Sequence, residues 1–233
     1  MDRSIVELMR FEFERFWTAK YLGFIILLLI LFVNIPATIL PGAISTSDLM
    51  SFTGGVRSLL VYLLITITLT NSFCNDIKQS VMMDEFTNPV RKSAVFISKL
   101  LVNFFLMIIT VNLLSIAFSS WLASGSLPLS SILLVTLVQT IVSMFFAALA
   151  IFIGILVQST IASILTPLSI YFLEEYFMLF LGSKYSVEDA ILHLISAGLD
   201  EMVVLFAAII HVSLPIALLV FSFLFFTEVF ELD

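Results

Sequence analysis

Long apolar runs alternate with short polar breaks along this chain, and the run lengths match a bilayer. A helix rises about 1.5 Å per residue, so about 20 apolar residues cross roughly 30 Å of hydrocarbon. Six stretches fit: 21–40, 56–73, 95–121, 132–157, 161–181 and 202–227. The first is interrupted by Asn34 and Pro36 and closes at Pro41-Gly42. The last contains Pro215, where a kink is expected because proline lacks the N–H that a helix interior uses. Ser124-Gly125-Ser126-Leu127-Pro128 has the composition of a turn, and only Gln158-Ser159-Thr160 separates the fourth run from the fifth. The pattern predicts an all-α integral membrane protein, one transmembrane domain over residues 1–233 with six transmembrane helices. The first run follows a charged segment and is not followed by a small-residue cleavage site, so it reads as a retained span.

Composition agrees with the pattern. Hydrophobic residues make up 61% of the chain and charged residues 12%, where a soluble domain carries about 25% charged. The net charge of −7 is unevenly distributed. Acids concentrate over 174–201 and at Glu228, Glu231 and Asp233, while bases cluster elsewhere. No basic patch with interleaved aromatics is present, which removes support for nucleic acid as a partner. A single cysteine, Cys74, excludes an intrachain disulfide and a cysteine-based metal cluster.

Lysine and arginine orient the bundle, because cytoplasmic loops carry their excess. With six spans both termini share a side. Placing them inside puts Arg3, Arg10, Arg15, Lys20, Lys78, Arg91, Lys92 and Lys99 in the cytoplasm and leaves Arg57 and Lys184 outside. The expected location is the plasma membrane, multi-pass, with both termini cytoplasmic. The acidic segment 174–201 is then extracytoplasmic, with a short helix over Val187–Leu199 before span six.

Residues 1–20 carry a second pattern. Val6, Met9, Phe13, Phe16 and Trp17 recur on one helical face, and Arg3, Glu7, Arg10 and Glu14 occupy the opposite one with alternating sign. This predicts an amphipathic helix along the cytoplasmic interface, anchored by Trp17 against membrane lipids.

The polar break after Cys74 is longer than a turn and contains its own apolar residues. It starts at Asp76, turns through Lys78-Gln79-Ser80 and continues Val81-Met82-Met83-Asp84-Glu85-Phe86. Proline at 89 cannot continue a helix, and Asn88 before it is pushed out of helical geometry. A short cytoplasmic helix over about 79–87 is expected, with apolar side chains suited to a socket on another protein.

Catalytic signatures are missing. No lysine follows a glycine, so the Gly-Lys pair of a phosphate-binding loop is absent, and no G-x-S-x-G occurs. His193 and His211 have no metal-ligand companion at helical spacing, so no metal site is expected. Glu174-Glu175 resembles the opening of the glutamate-type intramembrane proteases, but the arginine expected four residues on is Met178. The pair reads as acids capping a helix end at the outer interface, with an outer gate as the second reading. Asn71, Asn103, Asn112 and Gln139 lie within spans and read as interhelical hydrogen-bonding groups. No unambiguous charge sits at mid-bilayer, which disfavours a self-contained ion-coupled carrier.

Asp76 closing span two, Pro89 with Lys92, and Lys99 opening span three in Ser98-Lys99-Leu100-Leu101 together resemble the permease subunits of ATP-binding cassette transporters of the second exporter type. The interfacial helix, the six spans and the outer helical segment are similar to that family's layout. Ser80-Val81 stands where the family often has Gly-Thr, Glu85-Phe86 where it has a leucine pair, and Ser98 where it has glycine. The resemblance implies a non-enzymatic permease, an exporter, with a coupling helix between spans two and three. It implies a separate ATPase subunit that binds ATP and Mg, contacted through Asp76, Gln79, Ser80, Val81, Met82, Met83, Asp84, Glu85, Phe86, Pro89 and Lys92. It also implies a second permease copy, a homodimer or a pair with a related chain, and no cofactor in this chain. The alternatives are a channel or scaffold protein without an ATPase, and then an intramembrane hydrolase.

Overall fold

The computed structural model describes residues 5–16, 22–23, 25–27, 56–78, 92–123, 127–180, 191–192, 195 and 202–228. Among these no strand occurs. The helices are α1 (Ile5–Phe16), α2 (Val56–Lys78), α3 (Lys92–Lys99), a π-helical turn (Leu100–Phe105), α4 (Leu106–Ala123), α5 (Leu129–Val157), α6 (Thr160–Phe180) and α7 (Met202–Glu228). Among the described residues three helical stretches are long and apolar enough to cross a membrane: Lys92–Trp121, Leu129–Val157 and Ile209–Glu228. Leu59–Cys74 within α2 is a shorter apolar helix. Most of the expected first span and the whole of the expected coupling helix over 79–87 lie outside the described residues.

The helices begin and end differently from the apolar runs. α2 continues past Phe73 to Lys78, so Asp76 is inside the helix rather than after it. α3 begins at Lys92, before the apolar run that starts at Val95. Hydropathy marks where lipid stops, whereas a helix propagates as long as each added residue gains a backbone hydrogen bond. Between α3 and α4 the π-helical turn Leu100–Phe105 interrupts an otherwise continuous rod. Apolar patterning carries no signal for such a turn.

α5 is the centre of the bundle, packed against α2, α4, α6 and α7. Every residue from Phe145 to Ile151 is buried, so this stretch is apolar on all sides because it meets helices on all sides. Ala147, Ala148 and Ala150 keep that stretch thin enough for neighbours to approach. Around it, Ile65, Leu69 and Phe73 of α2 and Phe226 of α7 complete one continuous core. Phe96 of α3 ties the far side together, with ring centroids 5.8 Å from Phe73, 5.6 Å from Phe223 and 5.5 Å from Phe226.

Polar contacts fix the register of these apolar rods. Ser115 donates to Gln139 Oε1 at 2.6 Å, and the Thr140 hydroxyl lies 2.8 Å from Asn112 Oδ1 and 2.7 Å from the Thr136 carbonyl of its own helix, so these groups join α4 to α5. Thr66 and Thr68 bond back to their own helix, at the carbonyls of Tyr62 and Leu64. Thr70 instead reaches Ser163 of α6 at 2.8 Å. Ser163 spends its single hydroxyl proton on the Ala150 carbonyl at 2.7 Å, so Thr70 must be the donor in the Thr70–Ser163 bond. One chain of hydrogen bonds thus runs from α2 through α6 to α5.

The reversal between α5 and α6 is as tight as the sequence predicts. Gln158 takes the left-handed conformation (φ 52°) and its N–H returns to the Gly154 carbonyl at 3.1 Å. The Ser159 carbonyl then accepts the Ser163 N–H at 2.9 Å, starting α6. Gly154 faces the new helix, and a Cβ there would lie 3.1 Å from Ser163 Oγ.

Because two hydrogen bonds hold Ser163 Oγ in place, it cannot yield to an added methyl group. Gly154→Ala is expected to lose about 1–3 kcal/mol to overpacking, partly offset by a gain of about 1 kcal/mol in helix propensity. In a Ser163→Ala background the obstructing oxygen is gone, and the same Gly154→Ala change is expected to be neutral or stabilising. Thermal unfolding of the four variants in detergent checks this; equal effects of Gly154→Ala in both backgrounds would refute the contact.

Candidate functional site

The site is a buried polar cluster where α1, α2 and the start of the α3–α4 rod meet. α1 is supported locally by Glu7 in its first turn and Arg15 in its last, each complementing the helix dipole. Arg10 and Glu14 pair at 2.9 Å on its outer surface, an exposed contact of small energetic value. At about 100° per residue α1 presents three faces. Glu7, Arg10 and Glu14 form an exposed polar face, and Val6 and Phe13 an exposed apolar one. Leu8 and Glu12 face inward, Leu8 packing on Ala94 and Val95 of α3.

Glu12 is the acid that packs against the bundle. Lys99 Nζ donates to its Oε1 at 2.6 Å, and the two side chains are 0% and 6% exposed. Asn103 Nδ2 donates to the other carboxylate oxygen at 3.3 Å and also to Ser72 Oγ of α2. Arg15 Nη1 stands 4.0 Å from Oε1 at the partly exposed margin. Taking two charges out of water costs several kcal/mol per ion, on the order recovered only when geometry and further hydrogen bonds are good. Both conditions hold for Glu12, whose oxygens are each engaged.

The π-helical turn supplies the geometry. Lys99 is the last residue of α3 and Asn103 lies within the turn. Val102, Asn103 and Phe104 are buried in succession, while Leu101 and Phe105 remain exposed. The wider turn lets one segment meet α1 through Lys99, α2 through Asn103 and the core through Phe104. Single π-turns within α-helices are frequent at functional sites.

The predicted residues fall unevenly around this cluster. Lys99 is at its centre, buried rather than exposed to the cytoplasm. Asp76 lies in the last turn of α2, and Lys92 is the first residue of α3. Gln79, Ser80, Val81, Met82, Met83, Asp84, Glu85, Phe86 and Pro89 lie outside the described residues, as does Trp17. Met9 is half-buried, and Phe16 ends α1. Sequence reasoning missed Glu12, Ser72 and the role of Asn103 as a bridge. The available signal was Glu12 four residues after Leu8 on the same face, with Lys99 and Asn103 four apart in the rod.

A second polar contact lies elsewhere in the bundle. Glu174 and Glu175 do not cap the end of a helix, because α6 runs on to Phe180. Glu174 Oε2 stands 3.3 Å from His211 Nε2 of α7, with side chains 21% and 2% exposed. The His211 ring packs on Phe145 with centroids 4.6 Å apart. No group of three or more metal-ligating side chains occurs among the described residues.

Removing one member of a buried ion pair strands the other. Lys99→Met alone, or Glu12→Leu alone, is expected to destabilise the protein by about 3–5 kcal/mol, with the amides of α1 losing protection in hydrogen exchange. The double variant Glu12→Leu/Lys99→Met leaves no stranded charge and is expected to recover most of that loss. Additive single effects would mean that the two groups do not pair in the membrane-embedded protein. Compared with protein-family models, with curated proteins and with solved structures, the chain has no match, so its function rests on its own residues.

Proposed function

We propose that this chain is the transmembrane permease subunit of an ATP-binding cassette exporter of the second type, driven by a separate ATPase subunit. The single observation that carries the reading is the clamp at both mouths of segment 79–91. Ser72, near the end of α2, and Asn103, near the start of the α3–α4 rod, are bonded to each other, and Lys99 and Asn103 both hold Glu12 of α1. A force applied to the segment between Lys78 and Lys92 therefore reaches three helices that are already locked together.

In this reading α1 lies along the cytoplasmic interface. Its exposed apolar face at Val6 and Phe13 meets lipid, its polar face meets water, and its inward face grips the bundle. Closure of the ATPase dimer pushes the helix around Val81–Phe86, and the clamp carries that displacement into α2, the π-helical turn and α1 as one body. Two six-span copies enclose the pathway, lined by the first span and by the spans built on α2 and α6. A small apolar recess between α2, α5 and α6 is bordered by Tyr62, Thr66, Pro167 and Tyr171. Chemistry remains with the partner, consistent with the missing Gly-Lys pair.

The test is assembly. An ATPase with a phosphate-binding loop, encoded beside this chain, is expected to co-purify with it. Met82→Asp/Phe86→Asp is expected to abolish that association while leaving thermal unfolding of the isolated chain unchanged. Association unaffected by the double substitution would remove segment 79–87 as the docking helix.

A further inference from the structure

In the sequence Glu174 belongs to a pair of acids at an apparent helix end, and His211 stands alone in an apolar run. Their positions along the bundle make them a pair at one level. His211 lies within the membrane-length stretch Ile209–Glu228, fifteen residues before Phe226, which packs on Phe96 beside the Lys99 clamp. That spacing corresponds to about 22 Å along α7. Glu174 lies fourteen residues after Thr160, whose hydroxyl meets Cys74 near the clamp end of α2. That spacing corresponds to about 21 Å along α6. Two independent helices thus bring an acid and an imidazole to the same depth, far from the clamp.

Both helices are interrupted near this level. α7 contains Pro215, which cannot make the usual i→i−4 hydrogen bond to the carbonyl of His211. α6 contains Pro167, about two helical turns before Glu174. Prolines are where long helices bend. The Glu174–His211 contact therefore bridges two helix segments that each adjoin a potential bend.

Among the described residues, few other charged groups lie on the elements packed around the pair. α5, which packs the His211 ring through Phe145, contains no Asp, Glu, Lys, Arg or His. α6 contributes Glu174 and Glu175 and the phenols of Tyr171 and Tyr176. α3 also packs on α7, but its Lys92 and Lys99 belong to the end near Phe223 and Phe226, and Lys99 is held by Glu12. Among the described residues, His211 Nε2 stands 3.3 Å from the Glu174 carboxylate, so a charge on the imidazole faces an acid directly. An ionisable side chain inside a membrane helix is by default a functional group, because it is costly to keep there.

We infer that Glu174 and His211 form a proton-binding site whose occupancy holds α6 against α7. The Glu174 carboxylate, 21% exposed, gives the proton its route to the pair. The proton adds to an imidazole nitrogen, forming one N–H bond and an imidazolium that faces the carboxylate. Its release leaves a neutral ring beside an anion, and the bridge between the two proline-containing helices loosens. The site requires only that α7 spans the membrane and does not depend on an ATPase partner.

Spin labels on cysteines at Leu173 and Val212, both exposed neighbours of the pair, report the spacing directly. The full-length chain would carry Cys74→Ser and be held in lipid nanodiscs. When the buffer is taken from about pH 8 to about pH 5, the label-to-label distance distribution is expected to narrow. His211→Gln and Glu174→Gln are each expected to abolish the narrowing, and His193→Gln to preserve it. A distribution independent of pH, or a narrowing that survives His211→Gln, would overturn the proposal. Either result leaves the docking of an ATPase at 79–87 untouched.

Discussion

In a bilayer, apolar helices gain little by choosing one another over lipid tails, because both surfaces are equally hydrophobic. What then selects a particular arrangement is close packing at small residues together with polar contacts that find their partners only in one register. The Lys99–Glu12 bond is the strongest such constraint among the described residues. It is fully enclosed, it joins segments far apart in the sequence, and its carboxylate is also held by Asn103, which reaches on to Ser72. α1 is a twelve-residue amphipathic helix that is too short to be stable alone. Its place against α3 depends on that contact and on Leu8.

The same logic repeats at lower cost through the bundle. Gln139 with Ser115 and Asn112 with Thr140 fix α4 on α5, and the Thr70–Ser163–Ala150 relay fixes α2, α6 and α5. Each involves groups that would be unsatisfied in hydrocarbon if the helices slid by one residue. The phenylalanines and alanines of α5 supply contact area without direction. The hydroxyls and amides supply direction without much area.

Polar elements at two levels give the molecule distinct ends. The clamp gathers α1, α2 and the π-helical turn at one end, and Glu174 meets His211 about 20 Å away along the helices. In the exporter reading, energy enters at the first and the outer half of the bundle responds at the second. α5, buried at every residue from Phe145 to Ile151, lies between them.

Much of the architecture was legible in the chain itself. Apolar run length gave helices at 56–78, 92–123, 129–157, 160–180 and 202–228 to within a few residues, and Gln158-Ser159 gave the tight reversal. The charge pattern and the missing phosphate-binding lysine follow from sequence without any coordinates. Pairing does not, because periodicity describes one helix at a time and says nothing about which distant group completes a buried charge. Glu12 reads as one more acid in a charged helix until Lys99 is seen against it, 87 residues away. Glu174 reads as a helix cap until α6 continues past it and His211 arrives from α7. The sequence determined that these segments are helices suited to lipid; only the packing decided which of their few polar atoms would meet, since that depends on register between helices and leaves no periodic trace.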